Sequence, residues 1–411
     1  MFCIFFFLCI NFNRMKMMRT RIAFFLMPFA LLASACGNTA QQNTVIQINM
    51  NAKYPEKEIC LQDIAEISYV PLETTDETLF DASGSIAEFS GEGIVGVDSW
   101  YHKLCFFTAD GKAVGVIDRK GQGPEEYLHL DNALVDRECG EVYIVDRTKK
   151  TLHVYALDGS FRRTLKFADS SLRLNDLAVY NKEYLISFHD YPIDKGLNRQ
   201  VTPYRPAVLI SKKNGTILDS LSYEKNYVAS ITISRVTSGE YRAPRAYHRS
   251  GRSLYLSDIG SDTIYEIDTE HHTLKPVLTR KPSILQDTDG KFFLHLRGMT
   301  SRYAILHRQA KTITMGPNFQ LKDEDSHFLL LDRKTGDICR PRFTNREWKS
   351  SETRSMIEML AGTPDCGYMK MEAFQLIEAL EDGQLGGELK AIAQGLKEDD
   401  NPILMLVKFK K

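Results

Sequence analysis

Ile94-Val95-Gly96-Val97-Asp98 and Val142-Tyr143-Ile144-Val145-Asp146 are two copies of one pattern, 48 residues apart. Six residues after each Asp stands an apolar residue, Leu104 or Leu152. Six further on comes a turn, Asp110-Gly111 or Asp158-Gly159. Each copy reads as strand, polar turn, strand, tight Asp-Gly turn, strand. Asp-Gly between apolar runs marks a hairpin, because glycine takes positive φ without a Cβ clash. A period of this size built only from short strands is the signature of a propeller blade. The first complete blade is expected over about Ser85 to Ile117.

Between the copies lies the crossover Arg119 to Tyr127, in which Gly121, Gly123 and Pro124 set a rigid reversal. Tyr127 is placed to plug the seam between two blades. The glycines do not form a phosphate loop, because no helix pattern and no Lys-Ser/Thr follows. The crossover, the short strand Asp131 to Asp136 and the Asp-terminated strand after it resemble the NHL-type propeller repeat. His129-Leu130-Asp131 departs from the Pro-x-Gly usual in that repeat.

Further copies follow in order. Leu174 to Tyr180 aligns with Leu130 to Asp136 at an offset of 44 and opens a third blade. Ala207 to Ile210 and the Asn214-Gly215 turn complete it. Leu254 to Asp258, with Ile264 six residues after the Asp, marks a fourth blade. Tyr303 to Leu306 and Phe328 to Asp332 mark a degenerate fifth. From about Ser351 to residue 398 apolar residues recur at three and four, as in Phe374, Leu376, Ile377 and Leu380, which predicts a helical insertion packed on the propeller. Residues 402–410 are too apolar for a free tail and read as the strand that closes the ring against the segment beginning at residue 59. The fold class is therefore all-β, a six-bladed β-propeller spanning residues 59–411 with a small C-terminal helical insertion. The roughly 375 residues after Cys36 exceed six repeats of about 45 to 50, and the helices and long loops take up the difference.

The N-terminus reads as a sorting signal, residues 1–36. Lys16, Arg19 and Arg21 form a basic region, and Ile22 to Leu32 is apolar but too short to span a bilayer. Leu32-Ala33-Ser34-Ala35-Cys36 resembles a bacterial lipobox, which implies lipidation of Cys36. The apolar leader before Met15 fits no signal design, so the true start is expected at Met15, Met17 or Met18. Residues 37–58 read as a tether. The expected location is the cell envelope, periplasmic or outer-membrane, with a lipid anchor as the membrane contact.

Composition is ordinary for a globular chain: 411 residues, 43% hydrophobic, 26% charged, net charge −1. That charge suggests no nucleic-acid partner. Beyond the leader and Cys36 five cysteines remain, too few and too scattered for a disulfide framework, and no CxxC or His-rich metal spacing occurs. No cofactor, metal or catalytic residue is expected from the residues. Ile64 to Thr75, Lys120 to Tyr127, Asp262 to Tyr265, Leu274 to Pro276 and the Asn401-Pro402 strand together resemble the six-bladed β-propeller lipoproteins of Bacteroidota. That resemblance implies an exported, membrane-tethered propeller and carries over no activity.

Two candidate binding sets stand out. Asp131-Asn132 and Asn175-Asp176 begin equivalent strands and can present acid–amide pairs at one channel mouth; otherwise they hydrogen-bond neighbouring backbone as turns. Tyr241, Arg242, Arg245, Tyr247 and His248 combine planar cationic donors with aromatic faces, a set suited to an acidic glycan or a peptide carboxylate, or otherwise a solvated basic loop. Two functions fit: a binding or protein-interaction scaffold at the envelope, or a polysaccharide hydrolase or lyase needing paired carboxylates or a metal cluster at one mouth. Metabolic labelling with a fatty-acid analogue is expected to mark the wild-type protein and to spare Cys36→Ser; equal labelling of both would remove the lipidation reading.

Overall fold

The sequence repeat becomes a four-stranded antiparallel sheet, and six such sheets surround a central channel as a six-bladed β-propeller. The structure is a computed structural model. It describes residues 45–80, 84–167, 172–189, 207–221, 231–234, 240–241, 246–284, 286, 292–310, 312–315, 321–322, 326–353 and 357–411. The signal, start-codon and Cys36 readings lie outside these residues.

Blade one runs Ser85–Ser90, Gly93–Asp98, Lys103–Phe107 and Ala113–Ile117. Blade two runs from Asn132–Asp136 outward to Phe161–Lys166. Blade three begins with Leu172–Val179, blade four with Tyr247–Ser250 and blade five with Phe292–Met299. Blade six is shared by both ends of the domain, in the order Glu358–Met359, Cys366–Met371, Ile403–Phe409, Ala65–Pro71. The last two of these strands pair antiparallel over seven rungs, from Ala65 opposite Phe409 to Pro71 opposite Ile403.

The repeated residues have direct physical roles. Asp98 ends an inner strand and its Oδ1 accepts the N–H groups of Trp100 (3.0 Å) and Tyr101 (2.9 Å). Asp146 does the same for Lys149 and also holds the crossover through Leu128 N–H at 2.7 Å. Asp258 accepts from Gly260 at 2.8 Å. A carboxylate here satisfies turn donors that no ladder reaches. Gly111, Gly159, Gly215 and Gly336 occupy the equivalent outer turn with φ between +76° and +89°, where a Cβ would be strained. Tyr127 is fully buried at the seam between blades one and two, and its hydroxyl donates to the carbonyls of His102 (2.7 Å) and Ile117 (3.2 Å). Gly121 lies so close to Glu126 that a Cβ would fall 2.0 Å from a carboxylate oxygen.

The core is divided among the six seams. One cluster, around Val97, Leu104, Ile144 and Tyr155, joins blades one and two; another, around Tyr143, Leu165, Leu185 and Ile210, joins two and three. Four more complete the ring. The apolar faces of each wedge-shaped sheet are thus buried by its two neighbours, as in face-to-face sheet packing.

Three boundaries differ from the sequence reading. Residues 45–58 are not a tether: Ile46–Asn49 adds a parallel strand to the outer edge of blade four, and Glu56–Cys60 adds one to blade five. Ile48 and Met50 are fully buried there, so these strands cover outer edges that would otherwise stay open. The helical insertion is shorter than 351–398. Cys366–Met371 is a strand, and the helices are confined to Ala373–Glu381 and Gly387–Ala393. Their buried residues, Leu376, Ala379, Leu389 and Ala393, join the cluster between blades five and six, while Phe374 faces solvent at 51% exposure. Finally, a small accessory sheet, absent from the sequence reading, combines Ile231–Ser234 and Glu240–Tyr241 with Thr312–Met315 and Leu321–Lys322.

Asn401 locks the ring closure from the side. Its amide donates to Glu73 O (3.0 Å) and Thr78 O (2.9 Å), and its Oδ1 accepts from Phe80 N–H at 2.7 Å. Asn401→Ala leaves these buried groups unpaired and is expected to cost about 2–4 kcal/mol. Chemical denaturation checks this, with an unchanged midpoint as the contrary result.

Candidate channel site

The first strand of every blade faces the axis, so the six of them enclose a cavity of about 630 Å³. Its wall is chemically divided. Blades one to three contribute mainly apolar and small groups, including Ile86, Ala133, Leu134, Val135, Ala178 and Val179. Blades four and five contribute His248, Arg249, His295, Arg297 and His307. Blade six adds Glu358, whose carboxylate accepts the Tyr368 hydroxyl at 2.8 Å.

The three imidazoles come from three neighbouring strands. His248 lies on Tyr247–Ser250, His295 on Phe292–Met299 and His307 on Tyr303–Ala310. His295 and His307 are directly opposed in the antiparallel register, which brings His295 Nε2 to 3.2 Å from His307 Nδ1. His295 Nδ1 lies 3.2 Å from the Leu296 carbonyl oxygen. The network assigns the tautomers: Nδ1–H of His295 donates to the carbonyl, leaving Nε2 to accept from Nδ1–H of His307. The His248 ring stacks on His295 at 6.2 Å, and His307 stacks on Phe328 at 4.6 Å. His295 is almost wholly buried. Burial first, then the neighbouring His248, His307 and Arg297, hold it well below the ordinary histidine range.

Arg249 retains some accessible surface inside the channel but is densely surrounded by protein. It reaches across to blade three, where its guanidinium donates to the Val179 carbonyl oxygen. Burial lowers its proton affinity, and Asp136 and Glu88 oppose that effect. Both acids already have cationic partners, Glu88 with Arg137 at 2.8 Å and Asp136 with the buried Lys212. Among the described residues, no group of three or more His, Cys, Asp or Glu is arranged to hold a metal ion.

The residues singled out by sequence have divided fates. Asn132, Tyr247 and His248 line the channel. Asp131 does not: it pairs with Arg147 at 2.7 Å and accepts the Arg147 N–H at 2.9 Å, the turn role that was the alternative. Even Asn132 spends its Oδ1 on the Ala133 N–H at 2.9 Å. Tyr247 is a buried seam residue, stacked on Phe188 and donating to Leu177 O at 2.5 Å. Asn175 and Asp176 fall on the strand Leu172–Val179, and Tyr241 falls on the accessory strand Glu240–Tyr241; the structure describes none of these three side chains. Arg242 and Arg245 lie outside the described residues.

The family model for a domain of unknown function, DUF4934, matches residues 44–408. The chain belongs to the DUF4934 family. Among curated proteins, none matches it. Its fold is similar to that of an exported protein from Bacteroides fragilis, at 17% identity and TM-score 0.61, covering 90% of this chain and all of the other. A DUF4221 protein from Bacteroides vulgatus is also similar, at 10% identity and TM-score 0.48, covering 84% of this chain and 97% of the other.

Sequence reasoning missed Arg249, His295, Arg297 and His307 as site residues of this DUF4934 chain. A signal was present: His295 and Arg297 interrupt an apolar run at alternate positions, and the polar stretch His307-Arg308-Gln309 ends an apolar run on the next strand. The mechanism of pH dependence follows from His295. Folding keeps it neutral, so below about pH 6.5 the unfolded chain takes up a proton that the folded chain refuses, and stability falls as pH falls. His295→Gln is expected to flatten the decline in melting temperature between pH 7 and pH 5.5, a slope of up to about 1.4 kcal/mol per pH unit. An identical pH profile in both proteins would show that His295 titrates normally.

Proposed function

We propose that this protein is an envelope-tethered, lipid-anchored propeller that binds a small ligand in its central channel. One observation carries the reading. Side chains from all six blades converge on one cavity of about 630 Å³ with apolar and polar walls. That volume lies in the range of about 300–1,000 Å³ typical of ligand sites, which are mostly apolar with a few placed polar groups. The closed ring supplies a rigid frame, so a ligand meets groups already in position.

Export and anchoring are supported by the basic and apolar leader and by the residues before Cys36. The Gly121 to Tyr127 crossover, with its glycine-dependent contact to Glu126, supports kinship with NHL-type repeats. Arg242 and Arg245 precede the channel strand Tyr247–Ser250 by only a few residues, which supports a supplementary contact with an acidic glycan or a peptide at the mouth.

Ser85 lines the channel and is exposed there, so a larger side chain can enter the cavity without displacing the core. In a thermal-shift screen of small molecules, channel ligands are expected to raise the melting temperature of the wild type and to lose that effect in Ser85→Trp. Ligands that stabilise both proteins equally would place binding outside the channel. Chemical turnover of any hit would favour a hydrolase or lyase instead.

A further inference from the structure

The division of the channel wall specifies a ligand class. Building on the channel-binding reading, we propose that the cavity takes an amphiphilic organic anion, its carboxylate against Arg249, Arg297 and the histidine trio and its apolar body against blades one to three, and that binding is coupled to proton uptake. The argument rests first on geometry. Two arginines and three imidazoles from two adjacent blades line a cavity to which blades one and two, across the ring, contribute Ile86, Ala133 and Leu134. Glu358 is the acid of the lining among the described residues, and it is bonded to Tyr368. The acids behind the wall, Glu88 and Asp136, are matched by Arg137 and Lys212. Among the described residues the lining thus gathers its basic groups on blades four and five and its hydrocarbon on blades one to three. A carboxylate with a short apolar body matches both, and charge-assisted hydrogen bonds are strongest where bulk water is excluded.

Proton coupling follows from what surrounds the imidazoles. His295 is faced by His248 from blade four, by His307 from the next strand and by Arg297 on its own strand. Beyond His307 stands the uncharged ring of Phe328, and Arg308 and His327 are bonded to each other at 2.9 Å. Among the described residues, the neighbours that act most strongly on His295, namely His248, His307 and Arg297, oppose its protonation. A bound carboxylate adds a negative charge beside the imidazoles and so allows the cluster to hold a proton. By linkage, a ligand that raises proton affinity must itself bind more tightly when protons are abundant. Simple carboxylates remain ionised from pH 8 to pH 6, so the dependence belongs to the protein.

The test compares phenylacetate with the isosteric neutral phenylacetamide, by calorimetry on the folded wild-type domain. Phenylacetate is expected to bind at least about tenfold more tightly than the amide and to gain up to about tenfold in affinity from pH 8 to pH 6. Titrations in phosphate and Tris, which differ in ionisation enthalpy, should reveal net proton uptake. Inorganic sulfate, an anion without an apolar body, should bind more weakly than phenylacetate. His248→Gln should reduce the pH dependence, and Arg249→Met should abolish carboxylate selectivity; the wild-type comparison of acid with amide decides the matter even where a variant fails to fold. Equal affinity for acid and amide, or affinity independent of pH, overturns the proposal. Neutral ligands that bind the wild type, and are blocked by Ser85→Trp while carboxylates fail, would overturn the anion reading and leave channel binding standing. Absence of any channel ligand overturns both.

Discussion

The seven-rung ladder between Ala65–Pro71 and Ile403–Phe409 is the constraint on which the rest of the structure depends. Each blade buries its apolar faces against two neighbours, and the two clusters that flank blade six exist only if the ring is closed. An open ring would expose one face of blade one, one face of blade five and an unpaired strand edge at each break. The chain closes the circle by supplying blade six from both ends of the domain. Asn401 reinforces this junction with a buried amide whose donors and acceptor all have backbone partners in residues 73–80. Closure also fixes the spacing of the inner strands, and hence the size of the channel.

The segments that follow and precede the ladder extend the same logic. The strands at Ile46–Asn49 and Glu56–Cys60 lie along the outer edges of blades four and five, pairing parallel where the blade repeat is antiparallel. Parallel pairing to an outer edge needs no hairpin turn, so strands distant in sequence can supply it. The two helices fill the space beside blades five and six with Leu376 and Leu389, both fully buried. They occupy the connection between two strands of blade six, where a propeller tolerates insertion because the ladder on either side remains intact.

The channel shows the opposite tendency. Fold stability favours apolar inner strands, as blades two and three largely provide. Blades four and five instead place three imidazoles and two guanidinium groups together, with His295 held against its preference for a proton. Such a cluster lowers stability at acid pH and contributes little packing that aliphatic residues could not supply. Local departures from what stability alone would select are characteristic of sites used for binding.

By itself, the sequence determined the blade. Asp98 and Asp146 cap the same turn, Gly111 and Gly159 take the same positive φ, and Tyr127 fills a seam, because each acts within one repeat or between adjacent ones. Such roles recur at fixed spacing and are legible as period. Closure was legible too, since an apolar C-terminal strand must find a partner. What the sequence could not determine was which side chains meet on the axis. Arg249 and Val179 are 70 residues apart and become partners only when blades three and four are set at their angle around the ring. His248 and His295 meet for the same reason. The residue chosen by local pattern, Asp131, turned to its neighbour Arg147 because an ion pair within one hairpin needs no ring to form it. Convergence across blades is a property of the closed circle, and only the tertiary structure decides it.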